Sequence, residues 1–318
     1  MTAQTDHRRD DQSMVPPAEF RSYYGLPVIK APLWRAPDVP GYLFLGGLAG
    51  ASSVLAAASG LSGRPELARA AKTAAAGAIS LSVVALVRDL GRPKRFLNML
   101  RVFKPTSPMS IGSWLIATYG PAAGVAALSA VTGKLPRVGR ATTAVAAALG
   151  PAMAAYTAAL LADTAVPAWH DGYRELPYVF VGSAATAAGG LGLVMVRPER
   201  AEPARNLALI GAAAELVARS RLTQRLGPGG QPYRSGVAGR LMEAAEVLIA
   251  GGLATMASGS RNAGVVKTTG VALVTASALT RFGIFHAGRE SARDPKYTVE
   301  PQRNRRDQRR GGAVDAVL

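Results

Sequence analysis

The sequence predicts an all-α integral membrane protein with about eight transmembrane helices. Of its 318 residues, 49% are hydrophobic, and the charged residues form short clusters between long runs of Ala, Gly, Leu and Val. A run of about 20 apolar residues is long enough to cross the hydrocarbon core of a bilayer as a helix. Because the segments between the runs are short, consecutive helices are expected to be antiparallel, which favours two antiparallel four-helix bundles.

The first four apolar runs are each bounded by charged or helix-breaking residues. The run 41–61 ends before a Gly-Arg-Pro-Glu sequence, and 70–88 ends at an aspartate. The run 110–132 follows Ser-Pro-Met and stops before Gly-Lys, and 141–164 starts directly after an arginine. Charges at the ends of the runs are typical of membrane spans. A soluble Ala-rich bundle would instead show charged stripes at helical spacing along each segment.

The last four runs are 176–196, 205–221, 238–258 and 264–287. The run 176–196 ends at Arg-Pro, and 238–258 follows a Gly/Pro-rich stretch. The run 205–221 is the shortest of the eight and the least certain span. Each of the last three runs also contains charged residues, which makes them the most informative about function.

The predicted organisation is one transmembrane domain, 37–288, with a loop at 89–108. The flanking segments are a polar N-terminal tail with a partner-contacting segment, 1–36, and a basic C-terminal tail, 289–318. With eight spans, both termini lie on one side, and Lys and Arg are more numerous there than in the opposite loops. The positive-inside rule then predicts a multi-pass protein of the cell membrane with both termini in the cytoplasm. Basic residues that dock an acidic partner would give the same charge asymmetry.

Composition argues against several cofactors and partners. The chain has no cysteine, so it cannot hold an iron-sulfur cluster or a thiolate zinc site. A ladder of haems needs paired histidines on facing helices. This chain has only His7 in the tail and His170 and His286 near the ends of spans. No haem and no metal site are therefore expected. The net charge of +17 is spread over loops and tails rather than a folded basic domain, which argues against nucleic acid as a partner.

Ionisable residues within the spans indicate a polar site in the half of the membrane nearer the termini. Charge in a bilayer is costly, so such residues usually line a pathway or pair with one another. Glu243 and Glu246 share a helix face three residues apart, and two acids there would repel each other unless protonated or partnered. They lie at a depth similar to that of Glu215, Arg281 and His286. These five residues predict a proton-transfer route.

Two alternative interpretations do not need a site. Glu215 and Arg219 lie one helical turn apart and could form a purely structural pair. Arg240 and Arg281 could extend their side chains to the membrane surface, as long basic side chains near helix ends often do.

Four sequence segments carry a resemblance to a known family. Residues 89–96 read Asp-Leu-Gly-Arg-Pro-Lys-Arg-Phe, followed by Ser-Pro-Met-Ser at 107–110. The first span opens with Trp-Arg-Ala-Pro-Asp-Val-Pro-Gly-Tyr at 34–42, and 156–171 runs from Tyr-Thr-Ala-Ala-Leu-Leu to Trp-His-Asp. Together with Ser-Ala-Arg-Asp-Pro-Lys-Tyr-Thr at 291–298, these segments resemble the polysulfide reductase membrane-subunit family (NrfD/PsrC-like).

The resemblance implies a membrane subunit that exchanges electrons between quinones and a partner iron-sulfur protein. Tyr156 is similar to the quinone-contacting tyrosine of that family, and Trp34 and Asp38 are the nearest candidates at the first span. Asp163 and His170 are candidate proton acceptors at the quinone site. The Asn and His of the family's characterised quinone site have no clear match in the first span.

The resemblance also implies partners. Asp89, Arg92 and Arg95 in the 89–108 loop are candidate contacts to an extrinsic subunit. The catalytic subunit of such a complex could be a molybdenum or tungsten enzyme or a hydrogenase. Two alternatives stay open: a proton-coupled secondary transporter, which would show Gly/Pro breaks such as 150–151 and 251–252 at matching depths, and a passive anchor without quinone chemistry.

Overall fold

The computed structural model describes residues 28–30, 32–90 and 94–301, and within these ranges the chain is helical with no β-strand. Eight of the helices described there have 20 residues or more, and two are short. In chain order the ten are α1 (Asp38–Leu61), α2 (Pro65–Asp89), α3 (Lys94–Met99), α4 (Pro108–Thr132), α5 (Pro136–Ala162), α6 (Pro167–Asp171), α7 (Leu176–Met195), α8 (Glu202–Leu226), α9 (Gly236–Ala257) and α10 (Ala263–Arg293).

Six of the long helices in the described ranges are long and apolar enough to cross a membrane: α1, α2, α4, α5, α7 and α10. The helices α8 and α9 are not among those six. Charge accounts for the difference in α8, since Arg205, Glu215, Arg219 and Arg221 all lie along it. The prediction of an all-α membrane protein is confirmed at this level, and the two remaining spans stay predictions.

Each predicted apolar run coincides with a long helix, but several helices extend beyond the run. The α8 helix covers 202–226 rather than 205–221, and α10 continues to Arg293 rather than stopping at residue 287. Hydropathy marks only the apolar part of a helix, whereas the backbone hydrogen bonds continue through charged residues into water.

Neighbouring helices pack in an antiparallel arrangement. The α1 helix packs against α2 and α5, and α4 packs against the same two helices. Further along the chain, α7 packs against α8 and α10, and α9 packs mainly against α10. Contacts of α1 and α5 with α7 join these two groups. The start of α1 and the end of α10 thus lie at one end of the molecule, here named the terminal end; the other is the opposite end.

Ion pairs connect the helix ends at the opposite end. Arg64, between α1 and α2, pairs with Glu202 at 2.8 Å and donates to the backbone oxygen of Glu199 at 2.8 Å. Glu66 at the start of α2 pairs with Arg200. These contacts attach the α1–α2 turn to the segment between α7 and α8.

Small residues allow the central helices to approach closely. A Cβ atom on Gly50 of α1 would lie 2.4 Å from the backbone oxygen of Gly150 in α5, so the two backbones are in direct contact. Such small-residue contacts are typical of helix packing in membranes. The Gly150–Pro151 step lies within the continuous helix α5, and Gly251 and Gly252 lie within α9, so neither position shows the helix break that the transporter alternative expects.

Candidate functional site

A pocket of about 100 Å³ lies at the terminal end, where α1, α2, α4 and α5 meet. The start of α1 contributes Tyr42, the end of α2 contributes Asp89, and the last two turns of α5 contribute Tyr156. Apolar side chains make up most of the remaining wall, including Leu86, Ile116 and Leu160. The pocket thus combines polar and apolar side chains, and a ligand with a polar and an apolar part needs both.

The position of Tyr156 depends on a glycine in the neighbouring helix. Its ring lies directly against Gly112 in the first turns of α4, where a Cβ atom would come within 2.4 Å of the ring carbon Cε2. The Tyr156 hydroxyl has no hydrogen-bond partner among the described residues. The ring is thus held by packing while its hydroxyl is free to bond a ligand.

Tyr42 and Asp89 are the other polar groups of the pocket. Tyr42 and Asp89 line the same pocket as Tyr156. Asp89 accepts one long hydrogen bond, 3.5 Å, from the backbone N–H of Arg35. Two phenols and a carboxylate therefore line one small space, where they offer hydrogen-bond donors and an acceptor to a ligand.

Trp34 forms the outer wall of the pocket and is held there by Trp169. The two indole rings stack with their centroids 5.3 Å apart. Trp169 is fully buried and donates from Nε1 to the backbone oxygen of Ile284 at 2.8 Å. Its ring lies against Gly288 of α10, where a Cβ atom would come within 1.9 Å of it. Trp169, in the Trp-His-Asp sequence after α5, thus connects Trp34 in the pocket wall to helix α10.

The predicted quinone-binding residues divide into two groups. Trp34 and Tyr156 line the pocket, whereas Asp38 lies beside it at the start of α1 and pairs with Arg88 at 3.7 Å. Asp163 and His170 are exposed and lie outside the pocket lining; the His170 ring nitrogen Nδ1 is 2.9 Å from the backbone oxygen of Ala162.

The predicted docking residues are also divided. Asp89 belongs to the pocket, Arg95 is exposed and donates to the backbone oxygen of Leu90 at 3.2 Å, and Arg92 lies outside the described residues.

A second polar cluster lies buried between α7, α8 and α10. Glu215 is fully buried, and its Oε1 accepts a hydrogen bond from Thr280 at 2.7 Å. Arg281 is also fully buried; it donates to the backbone oxygen of Phe180 at 2.6 Å, and its guanidinium lies 3.7 Å from the centre of the Phe180 ring. The Arg281 side chain reaches Gly47 of α1, so it points into the molecule rather than toward the surface.

The predicted proton-transfer residues do not form one continuous set. Arg219 bonds Glu246 at 3.4 Å rather than Glu215, so the structural pair considered from the sequence is not formed. Glu243 and Glu246 are exposed on α9, on the side that borders α8. His286 lies apart from both, near Arg289 and Arg293 at the end of α10.

Sequence reasoning did not identify Tyr42, Gly112 or Thr280 as site residues. Tyr42 lies within the segment that carried the resemblance, which is the one signal that could have singled it out. The glycine and the threonine acquire their roles from partners 44 and 65 residues away, Tyr156 and Glu215. Such partners cannot be read from local spacing.

A family model described as polysulphide reductase, NrfD, matches residues 33–211, more than half of the chain. The chain belongs to the NrfD family. The match includes Trp34, Asp89, Gly112 and Tyr156, so the whole pocket lies within it. The segment 291–298, which also resembled the family, lies outside the match. A comparison with curated proteins finds no match to the chain.

Membership of the NrfD family indicates an integral membrane subunit of a quinone-linked oxidoreductase. Subunits of this family work together with other redox subunits. The predictions of the family and of a membrane protein are thus confirmed, while the roles of individual residues stay predictions.

Proposed function

We propose that this NrfD-family chain is the quinone-reactive membrane anchor of a multi-subunit oxidoreductase, with the head group of the quinone bound in the Tyr156 pocket. The observation that carries the proposal is the unpartnered hydroxyl of Tyr156, fixed by Gly112 and facing a pocket that also contains Tyr42 and Asp89. Such hydroxyls are suited to bond the two ring oxygens of a quinone.

The chemistry requires both proton and electron transfer. Oxidation of one quinol to the quinone releases two electrons and two protons, and reduction takes up the same number. The pocket offers phenol donors for the quinone oxygens and the Asp89 carboxylate as a proton acceptor. The chain holds no cysteine for an iron-sulfur cluster, so the electrons pass to or from an iron-sulfur subunit.

The size of the pocket limits what it encloses. At about 100 Å³ it is smaller than the roughly 300–1,000 Å³ of pockets that enclose a whole drug-sized ligand. It therefore holds the ring alone, and the isoprenoid tail leaves along apolar side chains such as Leu86 and Leu160.

A surface next to the pocket supports docking of the iron-sulfur subunit at the terminal end. The segment from α3 to the start of α4 exposes three large apolar side chains, Leu97, Val102 and Phe103, each more than 60% exposed. Arg95 and Arg101 lie among them and are also exposed. Clustered apolar side chains surrounded by charge are typical of protein interfaces. The catalytic subunit beyond it would be a molybdenum or tungsten enzyme or a hydrogenase.

The proposal includes eight membrane spans in two four-helix bundles, with α8 and α9 added to the six helices that are apolar and long enough to span by themselves. The packing of α1, α2, α4 and α5 with one another, and of α7 to α10 with one another, supports this arrangement. Both termini would face the cytoplasm. Glu215, Arg281, Glu243, Glu246 and His286 would carry protons, although their separation into three groups means that water or motion has to connect them.

The test is quinone-linked electron transfer in the complex purified in mild detergent with its iron-sulfur subunit. Tyr156→Phe removes only the hydroxyl, and loss of one hydrogen bond is expected to lower turnover about two- to tenfold. Tyr178→Phe is the matched control, because Tyr178 is 70% exposed on α7. Unchanged turnover of Tyr156→Phe would count against the pocket, and a chain that purifies without any redox subunit would count against the function.

A further inference from the structure

The groove between α8 and α9 is larger than the Tyr156 pocket and separate from it. It encloses about 840 Å³ and is lined by residues of both helices and by Tyr233 and Arg234 between them. These are the two long helices of the described chain that are not apolar enough to count among its six spans. They also pack less closely against each other than either packs against its other neighbour, which leaves the groove open along its length.

An ion pair lies at the centre of the groove. Arg219 is 8% exposed; its Nη2 donates to the backbone oxygen of Met242 at 2.8 Å and to Glu246 at 3.4 Å. The buried Nη1 of the same guanidinium has no partner among the described residues. Glu243, one turn away on α9, lines the groove and has no ion-pair or hydrogen-bond partner within the described ranges. Within the described residues, the groove therefore contains both an unpaired Arg219 donor and an unpaired Glu243 carboxylate.

Apolar walls and three further polar residues, Ser220, Thr223 and Arg234, complete the lining, and in the eight-span arrangement proposed above the groove opens toward the bilayer. Leu216, Met242, Val247 and Ala250 form its walls. The outer face of α8 beside it carries Ile210 and Val217, which are 68% and 52% exposed, as apolar side chains facing lipid would be. Glu246 lies near the middle of the 22-residue helix α9, and with α9 as a span, as proposed above, that is well below the level of lipid head groups. A ligand that reaches the ion pair must come from within the bilayer.

We infer that the α8–α9 groove is a second binding site for a lipid-soluble quinol or quinone. The identity of the ligand rests on the proposed function, because the chain must already handle such a molecule at Tyr156. A quinol hydroxyl can donate to the Glu246 or Glu243 carboxylate, and a quinone oxygen can accept from Arg219. A phospholipid phosphate fits less well, because it would meet two carboxylates at a depth that its head group does not reach.

The volume agrees with this ligand. A groove of about 840 Å³ falls within the roughly 300–1,000 Å³ of sites that enclose a ligand of this size. Unlike the Tyr156 pocket, it can therefore hold the ring together with the first part of the tail. Two sites at different positions would let the complex retain one quinone while another exchanges with the membrane pool.

The test uses an azido-benzoquinone with a decyl chain, photolysed with the purified complex, followed by mass-spectrometric mapping of the labelled peptides. Excess unmodified decyl-benzoquinone shows which labelling is specific. Val247→Trp fills the groove from an exposed position. Val217→Trp places the same side chain on the outer face of α8, outside the groove lining, and serves as the matched control.

The expected result is competable labelling of peptides from α8 or α9 as well as from the Tyr156 pocket. Val247→Trp should abolish labelling of the α8 and α9 peptides and leave labelling of the Tyr156 pocket unchanged. Val217→Trp should leave labelling at both sites unchanged. Labelling confined to the Tyr156 pocket, or groove labelling that Val247→Trp leaves intact, would overturn the second site. Groove labelling without any at Tyr156 would instead contradict the proposed function of that pocket.

Discussion

Gly112 and Tyr156 are in direct contact across the α4–α5 interface, with no room for a side chain between them. A Cβ atom at position 112 would lie 2.4 Å from Cε2 and 2.9 Å from Cδ2 of the Tyr156 ring. The glycine therefore determines where the phenol stands, although it offers no functional group of its own.

Gly112→Ala is expected to displace the Tyr156 ring and to impair quinone turnover while the complex still assembles. Overpacking of this kind costs about 1–3 kcal/mol of stability. Gly120→Ala, two turns further along α4, is the control, because a Cβ atom there meets nothing within 4 Å. Turnover should fall and KM for quinone should rise only in the first variant; equal kinetics in both would contradict the positioning role.

Gly288→Ala is expected to lower the melting temperature, because the new methyl group would occupy the space of the Trp169 ring. Trp169 also holds Trp34 at the pocket, so the emission spectrum of the tryptophans should change as well. Gly251→Ala is a suitable control, since its Cβ would have no neighbour within 4 Å. A melting temperature equal to that of the control would show that α10 does not fix Trp169.

Thr280→Val is expected to destabilise the protein by about 1–3 kcal/mol, because it leaves the buried Glu215 carboxylate without its hydrogen bond. The substitution preserves the shape of the side chain. Thr275→Val on the exposed face of the same helix should be neutral. Thermal unfolding in detergent distinguishes the two, and equal unfolding temperatures would mean that water or another group satisfies Glu215.

The ion pair between Glu175 and Arg225 is expected to make the stability of the protein depend on pH. It lies just before α7, and hydrogen bonds from the Arg225 guanidinium hold the pKa of its carboxyl below the ordinary value. A lowered pKa means that the stabilisation is present above the unfolded pKa of about 4.3 and is lost as the pH falls through the folded pKa. Glu175→Gln should therefore melt earlier than the wild type at pH 7.

The same comparison at acid pH completes the test. Below the folded pKa, Glu175 is protonated and the wild type and Glu175→Gln should have converging melting temperatures. A difference that stays constant from pH 7 to pH 3 would show that the Arg225 contact does not depend on the charge of the carboxylate.

The sequence predicted the helices more completely than the site. The apolar runs predicted the positions of all eight long helices described, and six of these are apolar and long enough to span a membrane. The ends were less accurate where charged residues extend the helix, as at Arg293 of α10. Tyr156 and Trp34 were placed together through the resemblance rather than through any local pattern.

Long-range packing explains what the sequence left out. Glu215 and Arg219 are spaced to pair along one helix, yet each bonds a residue of a neighbouring helix instead. Thr280 donates to Glu215, and Arg219 pairs with Glu246. Glu243 and Glu246 do share a face, as their spacing predicted, but whether that face is lined by lipid, ligand or protein depends on how α8 and α9 pack.

The ion pairs of Arg64 with Glu202 and of Arg200 with Glu66 limit how the two groups of helices can move. At the terminal end, Trp169 stacks on Trp34 of the first group and donates to the backbone oxygen of Ile284 in the second. The two groups are therefore tied to each other at both ends. Alternating exposure to both faces of a membrane would require each end to open in turn, so carrying a solute through would require each set of contacts to break in turn.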